Sequence, residues 1–352
     1  MTPRQPDLSV VIPALNEAAH LPYLLQDLSW QKNIQFEVIV VDGGSTDTTV
    51  EQCREFSTNS TFKIKTIESQ PGRAVQLNKG TAISSADNLL FLHADSRIRN
   101  GSLLSNAQKF LSRQRQHNNN QQLCGHFPLK FSSSPGSEDD YYFYESKTYL
   151  NKADCINGDQ GFWISKEYFN QLGKFDESLP YMEDARLALK IGADNNWITL
   201  PGEIETSARR FETEGFTKRQ ILNSFLCNFN AMSEPGYFEI AGDIYKQQDK
   251  ADRLRLRPFL KATHRYMYAD GAKTALRRWY QTGAYIASNA WQLAFALDCI
   301  KNKKHGLAPN ADEASALDFY DRHLARIADW PLIKLLTGIV TIVWFYSLFL
   351  LR

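Results

Sequence analysis

The sequence predicts an α/β fold: a mixed, mainly parallel sheet flanked by helices, with a helical, membrane-associated region at the carboxyl end. Three observations predict it. Short apolar runs of strand length alternate with helical patterns from residue 8 to residue 95. Two of those runs end on an aspartate, Asp42 and Asp95. A nearly continuous apolar stretch, 332–351, closes the chain.

Leu8-Ser9-Val10-Val11-Ile12-Pro13 reads as a strand stopped by a proline. Asn16 can cap the helix that follows, where Leu21, Leu24, Leu25 and Leu28 recur at helical spacing and Pro22 falls early enough to be tolerated. A second strand, 37–41, runs into Asp42-Gly43-Gly44-Ser45-Thr46-Asp47, where the glycines turn the chain and Asp47 caps a helix containing Val50 and Phe56. The third strand, Lys63–Glu68, precedes Gln70-Pro71-Gly72-Arg73 and a helix over 74–83. The fourth, 89–92, ends on His93-Ala94-Asp95 ahead of a helix over 101–111. Alternation at this spacing calls for parallel strands with right-handed crossovers.

A carboxylate at the carboxyl end of a central strand stands where open α/β sheets place their ligands. Asp95 there suits Mg²⁺ or Mn²⁺, ions held by one or two carboxylates and completed by phosphate oxygens and water. The plainer alternative is that Asp95 and Ser96 only cap the next helix. Asp42, at the end of its own strand, can accept hydrogen bonds from a nucleobase or ribose, or can serve its Asp-Gly-Gly turn alone.

Further on, 113–122 and 132–140 are polar and read as solvated connections, with a short strand, 126–131, between them. An aromatic-rich helix over 141–150 either packs in the core or edges a cleft. Asn157-Gly158-Asp159-Gln160-Gly161 precedes a strand, 162–164. Glu183-Asp184 opens a helix over 185–191, where the macrodipole favours acids whether or not one serves as a base. Arg209-Arg210 reads equally as a diphosphate clamp or as a solvated basic edge.

Across 352 residues, 40 Lys and Arg balance 39 Asp and Glu, so no global charge points to nucleic acid. Five scattered cysteines without a C-x-x-C argue for a reducing compartment and against a zinc site. The short polar start, 1–7, predicts no signal peptide and a catalytic part in the cytosol.

The ordered set Val11-Ile12-Pro13-Ala14-Leu15-Asn16-Glu17, Val40-Val41-Asp42-Gly43-Gly44-Ser45-Thr46-Asp47, His93-Ala94-Asp95 and Met182-Glu183-Asp184 resembles the family 2 glycosyltransferases, inverting enzymes of GT-A fold that use nucleotide-sugar donors. Gly72-Arg73-Ala74-Val75-Gln76-Leu77-Asn78-Lys79-Gly80, Gly158-Asp159-Gln160-Gly161 and Ser207-Ala208-Arg209-Arg210 resemble one bacterial subgroup. The resemblance covers about 8–245. It implies that Pro13, Asn16, Glu17 and Asp42 line a nucleoside pocket, and that Arg73, Asn78, His93 and Ala94 lie near the donor. Asp95 would coordinate a divalent metal, with His93 a candidate second ligand. Asp184 would be the general base with Glu183 beside it, and Gly158, Asp159 and Gln160 would face the acceptor. Arg209 or Arg210 would steady the leaving diphosphate. The departure is His93, where most of the family has an aspartate; imidazole suits Mn²⁺ better than Mg²⁺.

The chain is divided into a catalytic domain 1–245, an amphipathic helical region 246–330 and an anchor 331–352. In the middle region Arg253, Arg255, Arg257, Lys261, Arg265, Lys273, Arg277 and Arg278 interleave with Phe259, Tyr266, Trp279 and Tyr280, suited to an anionic leaflet or to packing against the catalytic domain. Residues 257–304 also resemble the tails of membrane-associated family 2 enzymes that build lipopolysaccharide cores. At about 1.5 Å per residue, 332–351 covers roughly 30 Å, the depth of a bilayer core, with Lys334 near its leading end. Lys301, Lys303, Lys304, Arg322 and Arg326 upstream predict a catalytic domain on the cytoplasmic face of an inner membrane.

The leading expectation is therefore transfer of a sugar to a hydroxyl of a lipid-linked or cell-envelope glycan, with membrane lipid as a further partner and nucleic acid excluded. Two alternatives are a polyprenyl-phosphate glycosyltransferase and an inactive nucleotide-sugar-binding scaffold.

Overall fold

The computed structural model describes residues 5–134, 137–248, 253–311 and 313–351; Pro135-Gly136 of the serine-rich connection, and the start and extreme end of the chain, lie outside the described residues. The chain divides into two compact units, Met1–Ala208 and Arg209–Arg352.

Among its described residues the first unit carries nine strands: β1 (Leu8–Ala14), β2 (Phe36–Asp42), β3 (Lys63–Glu68), β4 (Asn88–Phe91), β5 (Cys124–His126), β6 (Leu129–Ser132), β7 (Phe162–Ser165), β8 (Trp197–Thr199) and β9 (Ile204–Ser207). Its helices are α1 (Leu21–Ser29), α2 (Thr49–Asn59), α3 (Arg73–Ala82), α4 (Leu103–His117), α5 (Glu138–Lys147), α6 (Lys166–Gln171) and α7 (Glu183–Ala193). Seven strands form one sheet in the order β3-β2-β1-β4-β7-β5-β8. The β1–β2, β2–β3, β1–β4 and β5–β8 pairs are parallel, and β7 runs antiparallel to both β4 and β5. The mixed, mainly parallel sheet flanked by helices is the architecture expected from the alternating pattern.

Strand order reverses at β1, since β2 and β3 lie to one side and β4 to the other. The carboxyl ends of β1 and β4 therefore flank a topological switch point, where open sheets leave a crevice for ligands. Register places Ala14 opposite Asp42, so the ends of β1 and β2 finish level. Valines and isoleucines of β1 and β2 are buried on both faces, as a central parallel strand requires. Helix α3 lies close on this sheet: a Cβ at Gly80 would be 2.5 Å from Val11 Cγ1 and 2.9 Å from Val41 Cγ2.

Two buried acids fasten the scaffold. Asp27 of α1, fully buried, takes a bidentate Arg97 (2.6 and 2.9 Å) and the Ile98 N–H at 2.9 Å, tying α1 to the segment just after Asp95. Glu37 of β2 accepts from Ser9 Oγ at 2.8 Å and pairs with Lys65 at 2.8 Å. Burial pushes its pKa up, but Lys65, the Ser85 N–H and the Ser9 hydroxyl hold it below the usual range.

Three expectations change in detail. The strand read over 126–131 is two strands, because Pro128 has no N–H to continue the ladder; β6 leaves the main sheet and pairs with β9. The polar tract 113–122 is not wholly a solvated connection: α4 runs through His117, and buried Arg115 donates to Leu123 O (3.0 and 2.8 Å) and to Asn88 Oδ1 (2.9 Å). Asn16 does not cap α1, whose N-terminus has no side-chain cap.

The second unit is helical: α8 (Arg209–Glu214), α9 (Phe216–Ala231), α10 (Gly236–Lys246), α11 (Leu256–Tyr268), α12 (Gly271–Ser288), α13 (Trp291–Lys304), α14 (Ser315–Phe319), α15 (Ala325–Ala328) and α16 (Pro331–Leu351), with a π turn joining α14 to α15. The compact unit thus begins at Arg209, earlier than the division read at 245, because α9 and α10 pack with the helices after them. Phe229 stacks on Tyr237 at 3.8 Å, Asn228 donates to Thr282 at 3.1 Å, and Glu234 pairs with Arg278 at 3.0 Å.

Candidate active site

At the carboxyl edge of β1 and β2 two turns are zipped together by polar contacts. Asn16, in a left-handed conformation (φ 55°), accepts the Thr46 N–H at 2.8 Å on Oδ1, and its own N–H donates to Ser45 Oγ at 2.8 Å. The Glu17 N–H donates to Thr49 Oγ1 at 2.9 Å and the Ala18 N–H to Asp47 at 3.2 Å. Asp42 is buried and serves its own turn: Oδ2 accepts the Gly44 and Ser45 N–H groups (2.9 and 3.0 Å), and Oδ1 accepts the Ser45 hydroxyl at 2.5 Å. The turn role weighed for Asp42 is therefore present. Pro13 is half-buried one residue before the end of β1.

Buried Gln76 of α3 donates from one amide to Ala14 O at 2.9 Å and Val41 O at 2.8 Å. It joins the ends of β1 and β2, sharing Ala14 O with the Gly43 N–H, which donates to that carbonyl at 2.9 Å. Its only signal in sequence is a glutamine one turn before Gly80, on the helix face that the glycine brings against the sheet. Asn78, expected near the nucleotide, is engaged elsewhere. Its amide donates to Phe175 O (2.9 Å) and Glu177 (2.8 Å), and Oδ1 accepts the Phe175 N–H (3.2 Å). Both donors of the carboxamide are committed to that loop.

A second group forms around the end of β4. His93, buried Ala94 and half-buried Asp95 follow the strand directly. Opposite them, Asn157 to Gly161 makes a tight turn before β7, and Glu183-Asp184 begins α7. The Gly158 N–H donates to Asp184 Oδ2 at 2.8 Å, and the Ala185 N–H donates to Oδ1 at 2.8 Å. A Cβ at Gly158 would stand 2.9 Å from Asp184 Oδ2 and 3.1 Å from His93 Nε2, so only glycine allows this approach. Met182, just before the acids, is left-handed at φ 67°, a strained conformation for a residue with a side chain.

Arg73, at the start of α3, reaches the same place; its Nη1 is 3.3 Å from Glu183 Oε1. Desolvation lowers its pKa, but Glu183, Asp184, Asp159 and Asp95 together raise it above the ordinary value. Asp159 is pushed up to about 7, first by desolvation and then by the charges of Asp184 and Asp95, with Arg73 opposing. Glu183, 2% exposed, is also pushed up to about 7, by burial and then by Asp184, again against Arg73. Asp159 Oδ1 is buried without a hydrogen-bond partner among the described residues. Four carboxylates and one guanidinium thus share a small volume short of positive charge.

Gln160 is held from below. Its Oε1 lies 2.9 Å from His126 Nδ1, its Nε2 donates to Cys155 O at 2.6 Å, and its carbonyl accepts the Phe127 N–H at 2.8 Å. His126 is fully buried, and burial pulls its pKa down to about 4, so the ring is neutral at ordinary pH. No local pattern signals this support, because it exists only where β5 passes beneath the turn.

The structure brings together Arg73, His93, Asp95, Gly158, Asp159, Glu183 and Asp184, and leaves Gln160 beneath them as a support. Asn16 and Asp42 stand at the same sheet edge, after β1 and at the end of β2, one and two strands from β4, about 5 and 10 Å at the usual strand spacing. Among the described residues no three His, Cys, Asp or Glu side chains are arranged to enclose a metal ion. The donor set still fits a divalent cation of the kind that takes one or two carboxylates and fills its remaining positions from phosphate and water. The partnerless Asp159 Oδ1 and the raised carboxyl pKa values mark where added positive charge would be favoured. Arg209 and Arg210 belong to the second unit, where both are exposed and line a hollow of about 200 Å³ with Thr213, Glu214 and Tyr245. A hollow of about 760 Å³ between α1 and α2 contains none of the predicted site residues.

Residues 9–173, a little under half of the chain, match the model of a family described as Glycosyl transferase family 2. Over 107 residues the chain is 34% identical to the PGL/p-HBAD biosynthesis glycosyltransferase of Mycobacterium bovis (strain BCG / Pasteur 1173P2), an alignment covering 30% of this chain and 42% of that protein. Over 98 residues it is 38% identical to the glycosyltransferase AglE of Haloferax volcanii, covering 27% of this chain and 32% of the relative. The chain therefore spans less than half the length of these relatives. Among solved structures it is similar to the mannosyltransferase PcManGT from Pyrobaculum calidifontis in complex with GDP-Man and Mn²⁺, with TM-score 0.49, 18% identity, and 97% of this chain and 88% of that one covered. Residues 1–349 of S. aureus TarS give TM-score 0.46 and 16% identity, with 90% and 91% covered.

Proposed function

We propose that this chain is an inverting family 2 glycosyltransferase that moves a sugar from a nucleotide-diphosphate donor to a hydroxyl of a lipid-linked or cell-envelope glycan. The match of residues 9–173 and the naming of its relatives as glycosyltransferases support the class. The observation that carries the reading is the meeting of Asp95, Asp159, Glu183, Asp184 and Arg73 at the switch point of the sheet.

In this reading the nucleoside lies against the β1 and β2 turns near Pro13, Asn16, Glu17 and Asp42, and its diphosphate runs toward Asp95. Asp95, with His93 beside it, would hold a divalent cation, which would supply charge neutralisation to the diphosphate. Asp184 takes the proton of the acceptor hydroxyl. Its two oxygens are aimed by the Gly158 and Ala185 N–H groups, and both keep a free lone pair. The acceptor oxygen forms its bond to the anomeric carbon as the bond to the diphosphate breaks on the opposite face, with the electron pair leaving on phosphate. One carboxylate suffices because no covalent sugar–enzyme bond forms. Arg73 holds Glu183 in place and moderates the negative charge around the base. Gly158 and Asp159 form the acceptor side.

Asp184→Asn tests the reading. Transfer should fall by about 10²–10⁴-fold, the usual worth of a general base, while the donor KM stays within a few-fold. Wild-type turnover in this variant, together with transfer to polyprenyl phosphate, would replace the hydroxyl acceptor with a phosphate one.

A further inference from the structure

We propose that the second unit docks on an anionic membrane surface from one side, lying in the leaflet with several helices rather than crossing the bilayer with α16. This goes beyond the sugar-transfer reading and does not depend on it.

Helix α16 has the length and composition of a membrane span: Pro331–Leu350 has a mean hydropathy of 1.9, and 11% of its apolar window is buried. It is not, however, a free tail. It packs along α12 through glycines on both helices. A Cβ at Gly283 would lie 2.2 Å from Lys334 O and 2.5 Å from Gly338 N, and a Cβ at Gly338 would lie 2.9 Å from Trp279 O. The Trp279 ring is 5.6 Å from Phe345. Contacts move up α16 as they move down α12, so the two helices are antiparallel.

Just beyond Trp279 the pair meets an ionic cluster. Arg278 is buried, 3.0 Å from Glu234 and 2.8 Å from Asp270, and donates to Tyr266 O. His264 of α11 lies 2.9 Å from the Tyr346 hydroxyl of α16. If α16 crossed the bilayer with this packing intact, Arg278, Glu234 and Asp270 would be carried beside its last turns to bilayer depth. Charges there are costly and are found facing water or a pore.

Apolar exposure is also not confined to α16. On α13, Leu293, Leu297 and Ile300 follow i, i+4, i+7 and are 75%, 63% and 53% exposed, while Trp291, Phe295 and Cys299 on the other face are buried. Phe319, Leu324 and Ile327 of the α14–α15 segment are exposed as well. A single span would leave all of these in water; a unit lying in the leaflet buries them. The stripe on α13 ends in Lys301, Lys303 and Lys304, and α12 begins with Lys273 and Arg277, so the apolar helices end in cations. Basic residues outnumber acidic ones from Arg209 onward. An anionic leaflet matches both features. A second copy would cover the apolar stripe but bring the same basic rim against itself.

The test is flotation of the purified full chain with vesicles of phosphatidylethanolamine and phosphatidylglycerol, and with phosphatidylcholine alone. Binding should require the anionic lipid, and Leu293→Glu or Leu297→Glu should weaken it about tenfold or more while the melting temperature holds. An epitope appended after Arg352 should be reached by protease only from the side that exposes the amino terminus. Unchanged binding of both α13 variants, or an epitope on the opposite face, would overturn the proposal in favour of a simple span. A lipid-independent dimer that Leu297→Glu dissolves would overturn it in favour of self-association.

Discussion

At Gly158 the backbone N–H holds the carboxylate proposed as base, and the missing side chain makes room for both that carboxylate and His93 Nε2. Gly158→Ala must push back either Asp184 or the turn. Because a misplacement of about 1 Å at a reacting group costs about 10²-fold, kcat should drop by that order with little change in melting temperature. Asp159 offers a different test. Its pKa is raised to about 7 from 3.8, so the folded state holds the proton more tightly than the unfolded state does. The associated stability is full below the unfolded value and is lost as pH rises to about 7. Asp159→Asn should therefore flatten the pH dependence of thermal unfolding between about pH 4 and pH 7 and leave the variant relatively more stable at higher pH. A variant that tracks the parent protein across that window would refute the assignment. Asp95, Glu183 and Asp184 were legible as residue types at strand and helix ends. The charge crowding that shifts Asp159 and Glu183 was not, because it depends on four carboxylates from β4, the pre-β7 turn and α7 meeting in space.

At the scale of elements, the segment after β4 is held by α1. Fully buried Asp27 binds Arg97 with two hydrogen bonds and also takes the Ile98 N–H. Removing the carboxylate leaves the Ile98 N–H without its acceptor and Arg97, a quarter exposed, without its counter-charge, so Asp27→Ala should cost about 1.5–3 kcal/mol in chemical denaturation. It should also weaken donor binding, because Asp95 lies two residues before Arg97. An Asp27→Ala protein as stable as the parent would show that the pair is incidental. The strands and helices from β1 to α4 were readable because each apolar run is of strand length and each helix repeats at i, i+3, i+4. Boundaries failed where one residue interrupts a pattern, as Pro128 divides β5 from β6. Buried polar residues within amphipathic faces were also missed: Gln76 and Arg115 look like solvent-facing residues until the carbonyls they serve are in place.

For the molecule as a whole, the balance of 40 cations and 39 anions conceals an asymmetry, since the surplus of cations lies after residue 208. The two compact units also differ in kind, a sheet-based unit and a helical one. A donor diphosphate with Mn²⁺ should stabilise the first unit selectively, by about 2.7 kcal/mol at a concentration 100 times Kd. Calorimetry should show a shift in the first unit's unfolding that Asp95→Ala removes. An equal shift in that variant would detach the cation from Asp95.

By itself the sequence determined the order of strands and helices from β1 to α4, the parallel sense of the early strands and the positions of the acids at element ends. These follow from local periodicity and from the chirality of strand–helix–strand connections, neither of which needs distant contacts. Only the tertiary structure decided that Asp95, Asp159, Glu183, Asp184 and Arg73 share one volume, that Asn78 is spent on the 175–177 loop, and that α16 is clasped by α12. Those outcomes turn on distances between residues far apart in the chain, and on the space left by Gly158, Gly283 and Gly338, which no local pattern encodes.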